Sequence, residues 1–489
     1  MSRAKELFSS QIPDTKNREG YPAFSRTIEE QYLQILLTNT LGNTFYANSN
    51  ELLKEANELH DIILEKNPEF AAKAMAFARE KGFMRLQPIW GLVKLSSVDR
   101  DLFAKVFPKV IRIPSDLQDF FTILKAEGRG QGGRLIKKVV AQYLNDISEY
   151  WAIKYNGRGR GYSLGDIVKT VHPKPKDARQ NAIFAYLTGN EYDKTLVPQI
   201  AAYEALKKTT NTSKQIALIK KGKLPHEVVT SIIKPNKEIW EAILQQMPIF
   251  ALLRNLNTLD RAEILDTHKD YITSILNNPD RLAKSKILPF RFVTAFYEVE
   301  KAWVKDVLRQ AVELTFKNLP EIPGKTAVFL DVSGSMEGRY LQIGSVFALA
   351  LYKKTNGNGV FWTFDTDVYD PKPSLYDSIL SQASKIKALG GTDTGAPVYR
   401  LRQEKLKVDN IIIITDEQQN TGSPFWEELR KYRSSINPNA KAFVIDIAPY
   451  RSYMIPRNDK NSFYIFGWSE VVLNYISQTI KGYADMIQN

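Results

Sequence analysis

The segment Pro320-Glu321-Ile322-Pro323-Gly324 separates two hydrophobic patterns that no single kind of secondary structure can satisfy. Before it, over residues 28–319, apolar side chains recur at spacings of three and four, as in Leu52, Leu53, Ala56, Leu59 and Ile63, the signature of amphipathic helices. Asn67-Pro68, Pro114-Ser115-Asp116, Gly189-Asn190 and Asn278-Pro279-Asp280 close successive helices and open new ones. Short helices in series with no strand signal predict stacked helical pairs, a HEAT-like solenoid, with an irregular all-α domain as the alternative. After the segment, apolar runs too short for free-standing helices appear at 326–330, 360–364, 411–414, 442–447 and 463–466. Amphipathic stretches at 340–352, 375–389 and 426–432 separate most of them, so a doubly wound α/β sheet is expected. The expected division is residues 1–324, helical, and residues 325–489, α/β.

Charge is distributed unevenly across that boundary. The chain of 489 residues carries 67 Lys and Arg against 54 Asp and Glu, a net charge of +13, and most of the surplus lies before residue 325. A localised basic excess suits a polyanion such as nucleic acid, because phosphates form a dense negative line, although a solvated basic surface would have the same composition. There is no Cys, which excludes disulfides, thiolate nucleophiles, zinc–thiolate sites and iron–sulfur clusters. The start of the chain has no apolar signal segment and no stretch is long enough to cross a membrane, so a cytoplasmic address is expected.

The α/β part holds the sharpest chemistry. The first buried run leads straight into Asp331-Val332-Ser333-Gly334-Ser335, and the run 411–414 ends in Thr415-Asp416. In a doubly wound sheet the carboxyl ends of the strands form the ligand crevice, so both carboxylates should face it. Between them, Gly390-Gly391-Thr392 supplies a flexible loop with a further hydroxyl. Carboxylate and hydroxyl oxygens are hard ligands suited to Mg2+ or Mn2+. The three loops resemble the metal-ion-dependent adhesion site of von Willebrand factor A domains. That resemblance implies Asp331, Ser333, Ser335, Thr392 and Asp416 as ligands to Mg2+ or another divalent cation such as Mn2+, directly or through water. The alternative is that Asp331 and Ser333 cap the following helix. Mg2+ keeps several waters, so an acidic residue of a partner protein could complete its shell. Hydrolysis would need a base beside the ion, and the nearest candidates, Asp393 and Glu417, have no His partner, because His60, His172, His226 and His268 all lie in the helical part. A binding role is therefore expected rather than an enzymatic one. Gly324-Lys325-Thr326 is not a phosphate loop: the required earlier Gly is replaced by Leu319.

In the helical part, Gly128-Arg129-Gly130-Gln131-Gly132-Gly133-Arg134 precedes Lys137-Lys138, and Asn156-Gly157-Arg158-Gly159-Arg160-Gly161-Tyr162 follows Lys154. Gly allows close backbone approach, Arg pairs with phosphate and Tyr can stack a base, which are the ingredients of an RNA surface; ordinary helix connectors can have the same composition. Lys169 and His172, at i and i+3, should share a helix face.

Several separated segments resemble one family. Met247-Pro248-Ile249-Phe250-Ala251-Leu252-Leu253-Arg254-Asn255-Leu256, Arg281-Leu282-Ala283-Lys284-Ser285-Lys286-Ile287-Leu288-Pro289-Phe290, Gly42-Asn43-Thr44-Phe45-Tyr46-Ala47 and Lys169-Thr170-Val171-His172-Pro173 are similar to signatures of the Ro sixty-kilodalton autoantigen family, a TROVE module followed by a von Willebrand factor A domain, including bacterial Ro-related proteins. The resemblance implies a HEAT-like helical ring, a solenoid closed into a toroid by the A-type domain. It implies small non-coding, Y-type RNA on a basic outer surface and single-stranded 3′ ends of misfolded RNA in a central hole. In bacterial relatives it implies cooperation with a 3′ exoribonuclease, polynucleotide phosphorylase. Matched to this chain, the RNA-contact region falls on Lys154, Arg158, Arg160, Lys169 and His172, and the basic loop adds Arg129, Arg134, Lys137 and Lys138. The stretch 154–172 departs from the animal pattern by an extra residue and more Gly, which leaves the individual Arg contacts open. The Arg254 and Arg281 motifs are expected to brace helix pairs. No DNA or membrane partner is expected. The competing reading is a metal-dependent protein-interaction scaffold with no specific RNA role.

Overall fold

A computed structural model of the protein describes residues 12–38, 44–130, 132–157, 161–285, 287, 289–316, 321–456, 459–467 and 476. Two compact units emerge: Leu64–Glu80 with Met84–Arg281, and Met1–Ile63 with Lys81–Phe83 and Leu282–Asn489.

The first unit is helical among its described residues. Its helices begin where polar side chains can accept the unpaired N–H groups of a first turn: Asp99 before Arg100–Val110, Asp177 before Ala178–Thr188, Asn211 before Thr212–Gly222 and Asn236 before Lys237–Leu244. Neighbours in sequence pack as neighbours in space, as with Pro68–Glu80, Leu86–Val98 and Arg100–Val110, or Pro198–Leu206 and Thr212–Gly222. This serial packing is the helical-repeat arrangement that the apolar spacing predicted. Phe103, Phe107, Phe120 and Phe121 are fully buried and meet edge to face at 5.6 to 5.8 Å, filling the core of the early repeats. Beside them Asp116, with no exposed surface, receives Arg79 at 2.8 Å and Arg85 at 2.5 Å, and also accepts the Arg112 and Ile113 N–H groups.

The second unit is built on a sheet. A short antiparallel ribbon, β1 (Thr15–Lys16) and β2 (Pro22–Ala23), precedes it. The sheet comprises β3 (Thr326–Asp331), β4 (Gly359–Phe364), β5 (Val368–Tyr369), β6 (Asn410–Thr415), β7 (Lys441–Asp446) and β8 (Ser462–Phe466). Their spatial order is β5-β4-β3-β6-β7-β8, with β5 antiparallel at one edge and the other five parallel. Five of the six strands fall on the apolar runs read from the sequence. The edge strand β5 does not, because two residues give no periodic signal. Helices Arg339–Lys353, Ala396–Gln403 and Phe425–Ser435 cover the sheet, while the expected helix at 375–389 contracts to Ile379–Ala383. At the start of β4, Gly359 has φ +157°, and a Cβ there would lie 1.7 Å from the Thr326 carbonyl oxygen, so the two parallel strands meet closely only with glycine.

The sheet domain also gathers helical sequence from before residue 325. Phe24 forms a β-bridge to Tyr453, Asn17 donates to the Gln419 carbonyl at 2.8 Å, and Gln34 accepts from the Arg451 N–H and the Tyr453 hydroxyl. Glu313 of helix Ala302–Phe316 pairs with Lys353 at 3.0 Å. The change of local structure thus lies near residue 325, whereas the compact packing units divide elsewhere.

Candidate functional site

The order of the sheet fixes the first site. From β3 the chain crosses to β4 on one side, and β6 lies on the other, so the crevice opens at the carboxyl ends of β3 and β6. Asp331 is the last residue of β3 and Asp416 follows β6 directly. Asp331 Oδ1 accepts the Ser333 N–H at 2.9 Å and Oδ2 accepts the Thr415 hydroxyl at 2.6 Å. The Ser333 and Ser335 hydroxyl oxygens lie 3.3 Å apart. The Gly-rich loop is stitched onto this turn by Gly334 N–H to Gly390 O and Leu389 N–H to Val332 O, and Asn420 fixes it by accepting the Thr392 N–H at 2.9 Å.

All five side chains of the set are buried, yet Thr392 Oγ1 and Asp416 Oδ2 have no hydrogen-bond partner. Burial pushes the Asp331 carboxyl up to about 6 and Asp416 up to about 8, the latter also because Asp331 is close by. Two crowded acids and an orphaned hydroxyl form a set short of positive charge. Its donors, two carboxylates and three hydroxyls, fit a hard divalent cation. Among the described residues no group of three or more His, Asp or Glu is placed to hold a metal.

The two carboxylates that the sequence offered as candidate bases, Asp393 and Glu417, are committed elsewhere. Asp393 accepts the Gly395 and Ala396 N–H groups at the start of Ala396–Gln403, and Glu417 accepts the Met454 N–H and the Tyr464 hydroxyl. Tyr46, which the sequence reading did not assign to the site, has its hydroxyl pushed up by burial, with Glu19 and Ser335 beside it, and packs edge to face on Tyr450. Its sequence signal was its place in the family-like segment Thr44-Phe45-Tyr46-Ala47, which gave it no role at the metal-binding loops.

The basic candidates behave differently from one another. Arg129 is spent within the fold, donating at 2.7 Å to both the Val93 carbonyl and the Ser96 hydroxyl. Arg134 and Lys138 are exposed and Lys137 half-buried on Gly133–Leu144, whose opposite face buries Ile136, Val139 and Val140. Lys169 is exposed on Leu164–Val171. His172 is exposed too, but it does not continue that helix: it caps it in the left-handed region at φ +52°, so the expected shared helix face is replaced by a helix residue and its cap. Pro173 explains the stop, since a residue before proline is disfavoured from the right-handed helical region. Arg158 and Arg160 lie outside the described residues, as do Gly42 and Asn43.

Lys154 stands apart from these, on a cavity of about 1370 Å3 whose walls include Tyr150, Tyr155, Lys223, Glu227 and Arg254. It pairs with Glu227 at 2.5 Å and sits over the Tyr150 and Tyr155 rings. Arg254, expected to brace a helix pair, is instead exposed, with its guanidinium 5.7 Å from the Phe250 ring centre.

Comparison with known proteins accounts for both parts of the chain. The TROVE domain family matches residues 224–328 and the Ro60 vWA domain family matches residues 325–480. RNA-binding protein RO60 of Deinococcus radiodurans is 25% identical, covering 96% of this chain and 95% of that protein. RNA-binding protein RO60 of Caenorhabditis elegans is 26% identical over 58% of this chain and 48% of its own length. The crystal structure of the Deinococcus radiodurans RO (RSR) protein superposes with a TM-score of 0.69 at 22% identity, covering 93% of this chain and all of that one. The two adjoining family matches, the near full-length relative and the shared fold lead to one conclusion: this chain belongs to the Ro60 family, which joins a TROVE domain to a Ro60-type von Willebrand factor A domain.

Proposed function

We propose that the protein binds RNA and works by binding rather than by catalysis, in the cytoplasm. The observation that carries this reading is the exposed cationic surface of the helical unit, where Arg134, Lys138 and Lys169 project from helices whose other faces are buried. Such a surface neutralises phosphates without selecting a base sequence, and the relatives named above are RNA-binding proteins. The finer reading, drawn from the family resemblance, has three parts. A small Y-type RNA occupies this surface, unpaired 3′ ends of misfolded RNA enter a central hole of a ring, and a 3′ exoribonuclease such as polynucleotide phosphorylase acts with the protein in RNA quality control.

Asp331, Ser333, Ser335, Thr392 and Asp416 would hold Mg2+ or a similar cation. When bound, the ion supplies a Lewis-acidic position that a carboxylate of a protein partner can complete. Filter binding of a hairpin RNA and a single-stranded RNA across a salt series tests the reading. Affinity should fall steeply and linearly in logarithmic coordinates with salt. Retention no greater than that of an unrelated protein of equal charge would favour the second reading, a metal-dependent protein scaffold. The orphaned oxygens of Thr392 and Asp416 are the observation that supports that alternative.

A further inference from the structure

Residues 17–21 form the turn of the β1–β2 ribbon, and they are fastened to the rim of the metal crevice. Asn17 shapes the turn: its Oδ1 accepts the Glu19 N–H at 3.1 Å and the Tyr21 N–H at 2.8 Å, while Gly20 at φ +82° supplies the left-handed step. The same side chain ties the turn to its neighbour, Nδ2 donating to the Gln419 carbonyl at 2.8 Å. The Arg18 N–H donates to Gln418 Oε1 at 2.9 Å, and the Tyr21 hydroxyl donates to the Gly422 carbonyl at 2.9 Å. All of these acceptors lie in 418–422, the segment that follows the candidate ligand Asp416.

This fastening brings one more carboxylate to the crevice. Glu19 is exposed, and the Tyr46 hydroxyl has both the Glu19 carboxylate and the Ser335 hydroxyl beside it. Arg18, next to Glu19 in the turn, is paired with Glu51 at 2.5 Å and Glu55 at 2.6 Å, so its charge is answered there. Tyr46 and Tyr340 pack against Tyr450, an apolar wall that strengthens charge interactions beside it. Without a cation, Glu19 is repelled by Asp331 and Asp416; with a divalent cation between those two, the same carboxylate is attracted. Mg2+ keeps several waters that an oxygen ligand can replace. A carboxylate on the same chain has an effective concentration on the order of millimolar or more, so it competes with any carboxylate arriving from outside.

We propose that the ribbon is a strap across the metal site and that Glu19 is the chain's own stand-in for the acidic residue of a partner. With the cation bound, Glu19 fills the open ligand position, and a partner engages the site only by displacing it. The inference rests on the reading of Asp331, Ser333, Ser335, Thr392 and Asp416 as a cation site and adds a means of regulating it.

The test uses the full chain with Mn2+ as the probe, because the relaxation of water protons reports the waters held on bound Mn2+, and acetate as the competing carboxylate. Glu19 is exposed and the turn is held by its N–H rather than its side chain, so Glu19→Gln keeps the fold. If Glu19 covers the position about nine-tenths of the time, Glu19→Gln should bind Mn2+ about tenfold more weakly and, once loaded, acetate about tenfold more tightly. Its bound Mn2+ should also relax water protons faster than in the unaltered protein. Asn17→Ala combined with Tyr21→Phe loosens the ribbon while keeping Glu19 and should move all three readings in the same directions. Equal relaxation and equal acetate affinity in the unaltered protein and Glu19→Gln, with Mn2+ bound in both and lost in Asp416→Asn, overturns the strap and leaves the cation site standing. Absence of Mn2+ binding by the unaltered protein, or binding that persists in Asp416→Asn, overturns the cation site and this inference together.

Discussion

The Thr415 hydroxyl donates a 2.6 Å hydrogen bond to Oδ2 of Asp331, linking the ends of two neighbouring parallel strands. The carboxylate at the end of β3 is therefore aimed by β6 as well as by its own turn, where Ser333 N–H holds the other oxygen. Thr415→Val keeps the shape of the side chain and removes this donor. A hydrogen bond to a charged group contributes roughly 1.5–3 kcal/mol, so Mg2+ affinity should fall by about tenfold or more. Isothermal titration of Mg2+ into both proteins measures it; equal affinities would show that Thr415 does not orient the ligand.

Acidity at the same site predicts an unusual dependence of stability on pH. In the metal-free protein the folded-state values of Asp331 and Asp416 stand at about 6 and about 8, above the ~3.9 of an unfolded aspartate. Between those limits the folded chain holds more protons than the unfolded one, so this contribution is complete below pH ~4 and is lost as pH rises toward about 8. Bound Mg2+ needs both carboxylates ionised and reverses the balance. The rise in melting temperature on replacing a chelator with Mg2+ should therefore be larger near pH 8 than near pH 5.5. A rise that is the same at both values would argue against a cation at these residues.

Asp116 carries a different burden, in the helical unit. It is fully buried between Arg79 and Arg85 and accepts two backbone N–H groups. Asp116→Ala strips Arg79 of its counter-charge, leaves Arg85 with Asp119 alone and orphans two backbone N–H groups, changes that together cost about 3–5 kcal/mol. The exposed pair of Arg400 and Glu404, four residues apart on one helix, is the contrast. Glu404→Ala should cost about 0.5 kcal/mol or less. Urea unfolding followed by circular dichroism distinguishes the two, and similar midpoint shifts for both variants would refute the argument.

What could be read in the sequence followed from period and position. Buried parallel strands are nearly continuous apolar runs, so Asn410–Thr415 declared itself through four successive isoleucines, and the carboxylates at strand ends followed from the topology. The partners of those residues could not be read, because they depend on register and distant contacts. Thr415 matters through its alignment beside β3, and Tyr46 packs edge to face on Tyr450, some 400 residues further along the chain. Likewise, apolar spacing marks the Ile28–Thr38 helix but not what it packs against, and Gln34 proves to bond the loop after β7. Composition also could not separate an exposed arginine from one tied into the fold: Arg129 and Arg134 share a Gly-rich segment, yet Arg129 is tied to backbone and hydroxyl oxygens while Arg134 is exposed.

That last contrast gives the most discriminating test of the exposed basic surface. A cation that neutralises a phosphate releases a counterion, so its removal lowers the slope of log affinity against log salt by about 1. Arg134→Glu and Lys169→Glu, both exposed, should each weaken hairpin binding and flatten that slope without changing the melting temperature appreciably. Arg129→Glu should act through the fold. Its two 2.7 Å hydrogen bonds tie the loop to Leu86–Val98, so their loss should lower the melting temperature, while the salt slope of the remaining folded protein stays near its original value. Each pair of measurements, slope and melting temperature, separates a contact with RNA from a contact within the protein. Were Arg129→Glu to flatten the slope and Lys169→Glu to leave it untouched, the RNA surface would have to be sought on the other side of that loop.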